Sequence, residues 1–323
     1  MKKNFLILLP LFLLLAACSE DDVLAPINSE LFQNIEFQTI ELVDDSKRDI
    51  TDISFYNDND GVICGSSGFF AKTTDGGMTW TKLNVGVNHS FLTTFMLDNN
   101  TFFTARRGLY KTSNSGSNFS EIGNLSSGTS SVFNIYFRNN SIGFVTHDLA
   151  IKKTIDGGNT WEEKYFTNSV YSIYDLEFTS DNIGYASGGA FWDNYNKGQI
   201  VKTTDGGETW TKILTTISIR SISFFSDNIG FYSNVNEEIF KTTDGGVSWN
   251  KISTLQYYPT DILFLNNEIG FVATYEGKIL MTKDGGNTWQ IAYEKTTVPI
   301  NRIIKTSNSI FAVGNDGLLL KSK

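Results

Sequence analysis

One hexapeptide pattern, Asp-Gly-Gly-x-Thr/Ser-Trp, recurs along this chain and constrains its fold more than any other feature. It begins at Asp75, Asp156, Asp205, Asp244 and Asp284 and closes on Trp80, Trp161, Trp210, Trp249 and Trp289. A degenerate sixth copy runs from Asn114 to Phe119. Counted between first residues, the intervals are 39, 42, 49, 39 and 40. A unit of about 40 residues cannot bury its own apolar face alone, so such units must stack on one another.

Within each unit, short apolar runs are separated by Gly, Asn and Asp, and helical periodicity is absent after residue 17. That pattern predicts four short antiparallel strands per unit. Inner strands are expected at 53–56, 222–225 and 262–265, and second strands opening with Gly-aromatic at Gly184-Tyr185, Gly230-Phe231 and Gly270-Phe271. A third strand leads into the Asp-Gly-Gly turn and a fourth begins at the Trp. Residues 301–321 repeat only three strands, while residues 35–43 alternate apolar and polar and supply the missing one. Pairing the two segments removes an open sheet edge. The expected fold is all-β, a seven-bladed β-propeller of four-stranded antiparallel blades, closed by the N-terminal strand in the last blade.

The chemistry of the repeat is structural. An Asp opening a tight turn accepts N–H groups two and three residues on, and the paired glycines supply positive φ without steric cost. A residue set repeated once per blade around a ring cannot converge on one substrate atom. The pattern resembles the BNR or Asp-box repeat, and residues 52–323 resemble the propeller family named for photosystem II stability and assembly factors. Sialidases, xyloglucanases and sortilin-type receptors share the box, so the resemblance implies a fold and leaves the chemistry open.

The N-terminus reads as an address. Lys2 and Lys3 precede an apolar run at 5–15, too short to span a bilayer and suited to a secretory signal. The run ends in Leu15-Ala16-Ala17-Cys18, which resembles the lipobox of bacterial lipoproteins and implies acylation of Cys18. Ser19, Glu20, Asp21 and Asp22 follow, resembling the surface-export signal of Bacteroidota lipoproteins. The expected organisation is a lipoprotein signal peptide at 1–17, an acidic tether at 18–34 and the propeller at 35–323. The expected location is the outer membrane of the cell envelope, with membrane attachment through the lipid. Without the first 17 residues the chain carries 24 basic and 35 acidic side chains, a net charge of −11 that repels phosphate backbones and excludes nucleic acid as a partner. The cysteines, Cys18 and Cys64, are too few for a disulfide framework, and His89 and His147 read as surface polar residues. No cofactor or metal is expected.

Propeller geometry sorts the loops. The turns between second and third strands share a face with the inter-blade crossings, opposite the Asp-Gly-Gly turns. That face collects Arg106, Arg107, Tyr257 and Tyr258, and the extra length of the 49-residue unit, including Phe191, Trp192 and Tyr195. Trp and Tyr give large contact area at low entropy cost, so these residues form the candidate surface for a protein or glycan ligand. The inner strands begin with Asp52, Asn134, Asp175, Ser221, Asp261 and Asn301, a polar ring near the channel mouth whose side chains are expected to bond the preceding crossing.

Two classes of function fit. The first is a non-catalytic, lipid-anchored binding or assembly module. The second is a sialidase-like glycoside hydrolase, which needs an arginine clamp that Arg106 or Arg107, Arg220 and Arg302 could supply from three blades. The Arg-Ile-Pro signature of sialidases is absent, since Arg302 is followed by Ile303-Ile304 in the last repeat. The binding module is the better reading.

Overall fold

A computed structural model of the chain describes residues 35–42, 47–125, 130–167, 172–190 and 197–323. Those residues form seven four-stranded antiparallel sheets. The first strands of the seven blades, Ile50–Phe55, Thr93–Met96, Val132–Phe137, Ser172–Phe178, Ile219–Phe224, Pro259–Phe264 and Ile300–Lys305, touch one another in sequence around the ring and line a central channel. Blade seven takes its outer strand, Phe37–Thr39, from the N-terminal side, in antiparallel register Phe37↔Ser322, Gln38↔Lys321 and Thr39↔Leu320. The ordered pairing is shorter than the alternation at 35–43 suggested, but Ile35, Phe37 and Ile40 are all buried in the seam.

The core lies between blades. A second-strand aromatic of one blade stacks on the inner strand of the next: Phe103 on Phe137 at 4.1 Å, Tyr185 on Phe224 at 3.6 Å, and Phe311 on Phe55 at 4.5 Å across the closure. The glycine preceding such an aromatic is required by close approach. A Cβ on Gly230 would stand 2.3 Å from the ring of Phe224, its cross-strand partner.

Each Asp-Gly-Gly turn is a local staple. Asp205 Oδ1 accepts the N–H groups of Glu208 and Thr209 at 3.1 and 2.9 Å, and Thr209 Oγ1 donates to Asp205 Oδ2 at 2.6 Å. The bonded amides are three and four residues on, one further than expected, because both glycines adopt positive φ and lengthen the turn. The threonine two residues before each Asp completes the staple. Thr203 Oγ1 donates to Asp205 and accepts the N–H of Gly207. The same bonds hold Asp75, Asp156, Asp244 and Asp284. Trp80, Trp161, Trp210, Trp249 and Trp289 sit just ahead of the fourth strand, each edge-on to the inner-strand Phe of its own blade at 5.9–6.1 Å.

A lysine on the third strand then crosses to the next blade. Lys111 Nζ donates to the carbonyl of Gly157 at 3.1 Å, Lys202 to Gly245 at 2.9 Å and Lys321 to Gly76 at 2.8 Å. The acceptors are the first glycines of the turns, so the repeated motif joins blades as well as strands.

Candidate functional site

The inner strands share an irregularity that builds the channel mouth. In six blades the pairing of first and second strands skips one residue: Thr51, Phe133, Tyr174, Arg220, Thr260 and Asn301. Such a bulge re-aims the extra side chain out of the ladder. All six line one cavity of about 660 Å³, with Leu92 from blade two, Pro259 from the start of the blade-six inner strand, and Asp49, Tyr258, Tyr275 and Asn315 from crossings and turns.

The walls of this mouth differ chemically. On blades three to six, Phe133 and Tyr174 meet edge-to-face at 5.5 Å. The Arg220 guanidinium lies 4.8 Å from the centre of the Tyr258 ring and donates to its hydroxyl from Nε, at 2.7 Å, and from Nη2. Tyr275 is 61% exposed above them, with its N–H on the carbonyl of Tyr258. On the opposite wall, Asn301 Nδ2 donates to the carbonyl of Ile50 at 2.8 Å and to Asn315 Oδ1 at 2.9 Å. An aromatic and cationic wall thus faces a carboxamide wall.

One residue deeper, the channel is collared by Asp52, Asn134, Asp175, Ser221, Asp261 and Arg302. The bulge corrects the expected ring at blade seven: Asn301 is the extra residue, and Arg302 takes the place equivalent to the aspartates. The cation in this acidic ring is therefore supplied by the chain. Arg302 lies 3.5 Å from Asp261 and 3.7 Å from both Asp175 and Asp52. The collar also bonds forward rather than to the preceding crossing. Asp52 Oδ2 accepts the N–H of Thr94, Asp175 that of Ile222 and Asp261 that of Ile303, each in the next blade.

Burial and charge compete in the collar. Burial pushes Asp261 up to about 6 and also raises Asp52, in both cases against the pull of Arg302. Asp261, then Asp175 and Asp52, raise Arg302 further into its charged range. Below lies a chamber of about 240 Å³ lined in part by Glu177, Ser223 and Lys305. Glu177 accepts the N–H of Phe224 at 2.9 Å, yet burial lifts it to about 8, so it holds its proton at neutral pH. Burial lowers Lys305. No group of three or more His, Cys, Asp or Glu suited to a metal ion occurs among the described residues.

The residues singled out from the sequence fall in different places. Tyr258 lines the mouth. Tyr257 packs behind it against the blade-six core, with Lys278 Nζ 5.4 Å from the centre of its ring. Arg106 and Arg107 form the turn after the second strand of blade two and are not part of the mouth lining. Phe191, Trp192 and Tyr195 lie outside the described residues, as does Cys18. The histidines are less exposed than expected. His147 is buried with Nε2 3.0 Å from the carbonyl of Leu125, and burial lowers its pKa. His89 is half-buried with Nε2 3.1 Å from the hydroxyl of Tyr110. Tyr275 stands on the face the sequence selected. Phe133 and Tyr174 were missed although the sequence carries their trace: across each bulge the buried apolar residues stand three apart instead of two, as at Val132 and Ile135 and at Ile173 and Leu176.

Ring, blade order and mouth together define the chain as a seven-bladed β-propeller. No protein-family profile matches it, and no curated protein does. Among solved structures it is similar to YCF48 from Cyanidioschyzon merolae, at 19% identity over 88% of this chain and 98% of that one, TM-score 0.71. A structure of YCF48 bound to D1 peptide is similar at 20% identity, covering 88% and 96%, TM-score 0.71. A catalytically inactive virginiamycin B lyase from Staphylococcus aureus with quinupristin reaches TM-score 0.71 at 14% identity, covering 90% and 99%. At these identities the likeness is one of fold.

Proposed function

We propose that this chain is a non-catalytic binding propeller of the cell envelope that takes a protein segment in its channel mouth, tethered to the outer membrane through Cys18. The observation that carries the reading is the mouth itself, a cavity of about 660 Å³ in which six bulged side chains converge beside Tyr258 and Tyr275. Large rigid aromatics and an arginine are the residue types that dominate binding energy at protein contacts. A fold neighbour described as bound to a peptide supports the same choice. The resemblance to photosystem II assembly factors and the Asp-box repeats belongs to this proposal, as does the signal peptide.

The glycosidase alternative is disfavoured by the fate of its arginines. Arg302 is held among three carboxylates, and Arg106 and Arg107 are outside the mouth lining. The mature protein is expected to leave a fluorogenic sialoside unhydrolysed.

The test is site-directed photocrosslinking in native envelopes, with benzoylphenylalanine at Tyr275 and, as a control on the opposite face, at Tyr56. A discrete protein adduct at Tyr275 alone, lost in Arg220→Ala, is expected. Equal adducts at both positions, or sialoside turnover, would overturn the reading. Cys18→Ala should move the protein from the detergent-extracted fraction to the soluble one, and retention in membranes would remove the anchor from the proposal.

A further inference from the structure

Four collar residues are each covalently next to a residue of the mouth. Asp52 follows Thr51, Asp175 follows Tyr174, Asp261 follows Thr260, and Arg302 follows Asn301. Arg302 draws the other three together, and they belong to blades one, four and six. Blade four is not a neighbour of blade seven, so this ion cluster crosses the channel, which no strand ladder does.

We propose that Arg302 is a positioning residue for the mouth: its guanidinium braces blades one, four and six from below and sets where Thr51, Tyr174 and Thr260 stand. This rests on the mouth being the binding site. The brace is soft. Its separations of 3.5–3.7 Å exceed the 2.7–2.9 Å of a direct charge-assisted hydrogen bond, and Arg302 Nε is buried without a hydrogen-bond partner. A tether of this kind holds by charge, so neutralising one carboxylate redistributes the guanidinium among the others.

The charged groups facing Arg302 are Asp52 from blade one, Asp175 and Glu177 from blade four and Asp261 from blade six, with Lys305 further along its own strand. Asn134 and Ser221, at the collar positions of blades three and five, are uncharged. Burial raises Asp261 to about 6, so its hold on Arg302 weakens as pH falls through that value.

Fluorine NMR of the full, ligand-free chain tests this, with 3-fluorotyrosine placed singly at Tyr174 and at the distant control Tyr56. In wild type the Tyr174 resonance should shift between pH 5 and 8 with a midpoint near 6. Asp261→Asn should abolish that transition and Arg302→Lys should retain it. Arg302→Met should move and broaden the Tyr174 resonance at neutral pH, with Tyr56 unchanged throughout. A Tyr174 resonance indifferent to all three variants overturns the proposal, as does a Tyr56 resonance that moves with it, which marks general loosening. Should Arg302→Met fail to fold, the other two variants still decide. The readout needs no ligand, so a positive result here with no crosslink at Tyr275 would sink the binding reading and leave the brace standing.

Discussion

Lys153 Nζ, on the third strand of blade three, lies 2.8 Å from the carbonyl oxygen of Gly206 in the turn of blade four, and 2.7 Å from the carboxylate of Glu208. Lysines take the same place in every blade but one: Lys72, Lys111, Lys202, Lys241 and Lys321. The exception is Met281, in blade six, which faces the one blade whose outer strand comes from the N-terminal side and which has no Asp-Gly-Gly turn to offer a carbonyl. A buried ammonium without an acceptor is costly, so the sequence places an apolar side chain where the acceptor is missing.

Lys153→Met should therefore lower unfolding stability by about 1.5–3 kcal/mol, the range for hydrogen bonds made by charged groups. Met281→Lys should also destabilise, because it buries a charge with nothing to bond. Urea denaturation of the two variants checks both directions, and a neutral Lys153→Met would show that the latch contributes nothing.

Ring closure rests on few residues, so its side chains carry weight. Phe37 is 4% exposed, packed edge-on to Tyr293 at 6.3 Å. Phe37→Ala should cost about 3–5 kcal/mol, as for large-to-small changes in a core. The exposed neighbour Thr39→Ala should stay within about 0.5 kcal/mol. Thermal melts of both distinguish a structural seam from a dispensable arm.

The turn aspartates and the channel acids set opposite pH limits. Thr160, Thr209 and Ser248, by hydroxyl and backbone bonds, hold Asp156, Asp205 and Asp244 at about 2, below the ordinary 3.8. Their contribution to stability is full above about pH 4 and is lost as pH falls toward 2. Asp205→Asn should keep most of the turn, whereas Asp205→Ala should cost about 1–2 kcal/mol, the usual loss for a local side-chain cap.

Glu177 and Asp261 act in the other direction. Burial raises them to about 8 and about 6 from 4.5 and 3.8, so the folded chain holds protons that the unfolded chain has released. That contribution is complete below about pH 4 and fades as pH rises through 6 and then 8. Glu177→Gln should flatten the decline between about pH 5 and 8, measured by denaturant midpoint at each pH. An unchanged slope would place the responsible groups elsewhere.

Arg220→Ala and Tyr258→Ala should each weaken a ligand held in the mouth by about 2 kcal/mol, roughly thirtyfold, while leaving the melting temperature within a few degrees. Loss of the Tyr258 ring also frees the Arg220 guanidinium, so the two effects should not add. A double-mutant cycle on the crosslinked partner's affinity measures that coupling.

The repeat period, the Gly-aromatic dipeptides and the unfilled outer strand at residues 301–321 were enough to determine seven blades and the closing segment. Each follows from local chemistry, which the order of residue types writes directly. The turn staple was legible in outline for the same reason, since all its bonds fall within seven residues. The mouth was decided by the tertiary structure. A one-residue bulge sends Tyr174 and Asp175 to different levels of the channel, and only the strand pairing shows which of the two side chains enters the mouth. The collar depended on the fold still more. Asp52, Asp175, Asp261 and Arg302 lie up to 250 residues apart, and only closure of the ring brings one guanidinium within 4 Å of all three carboxylates.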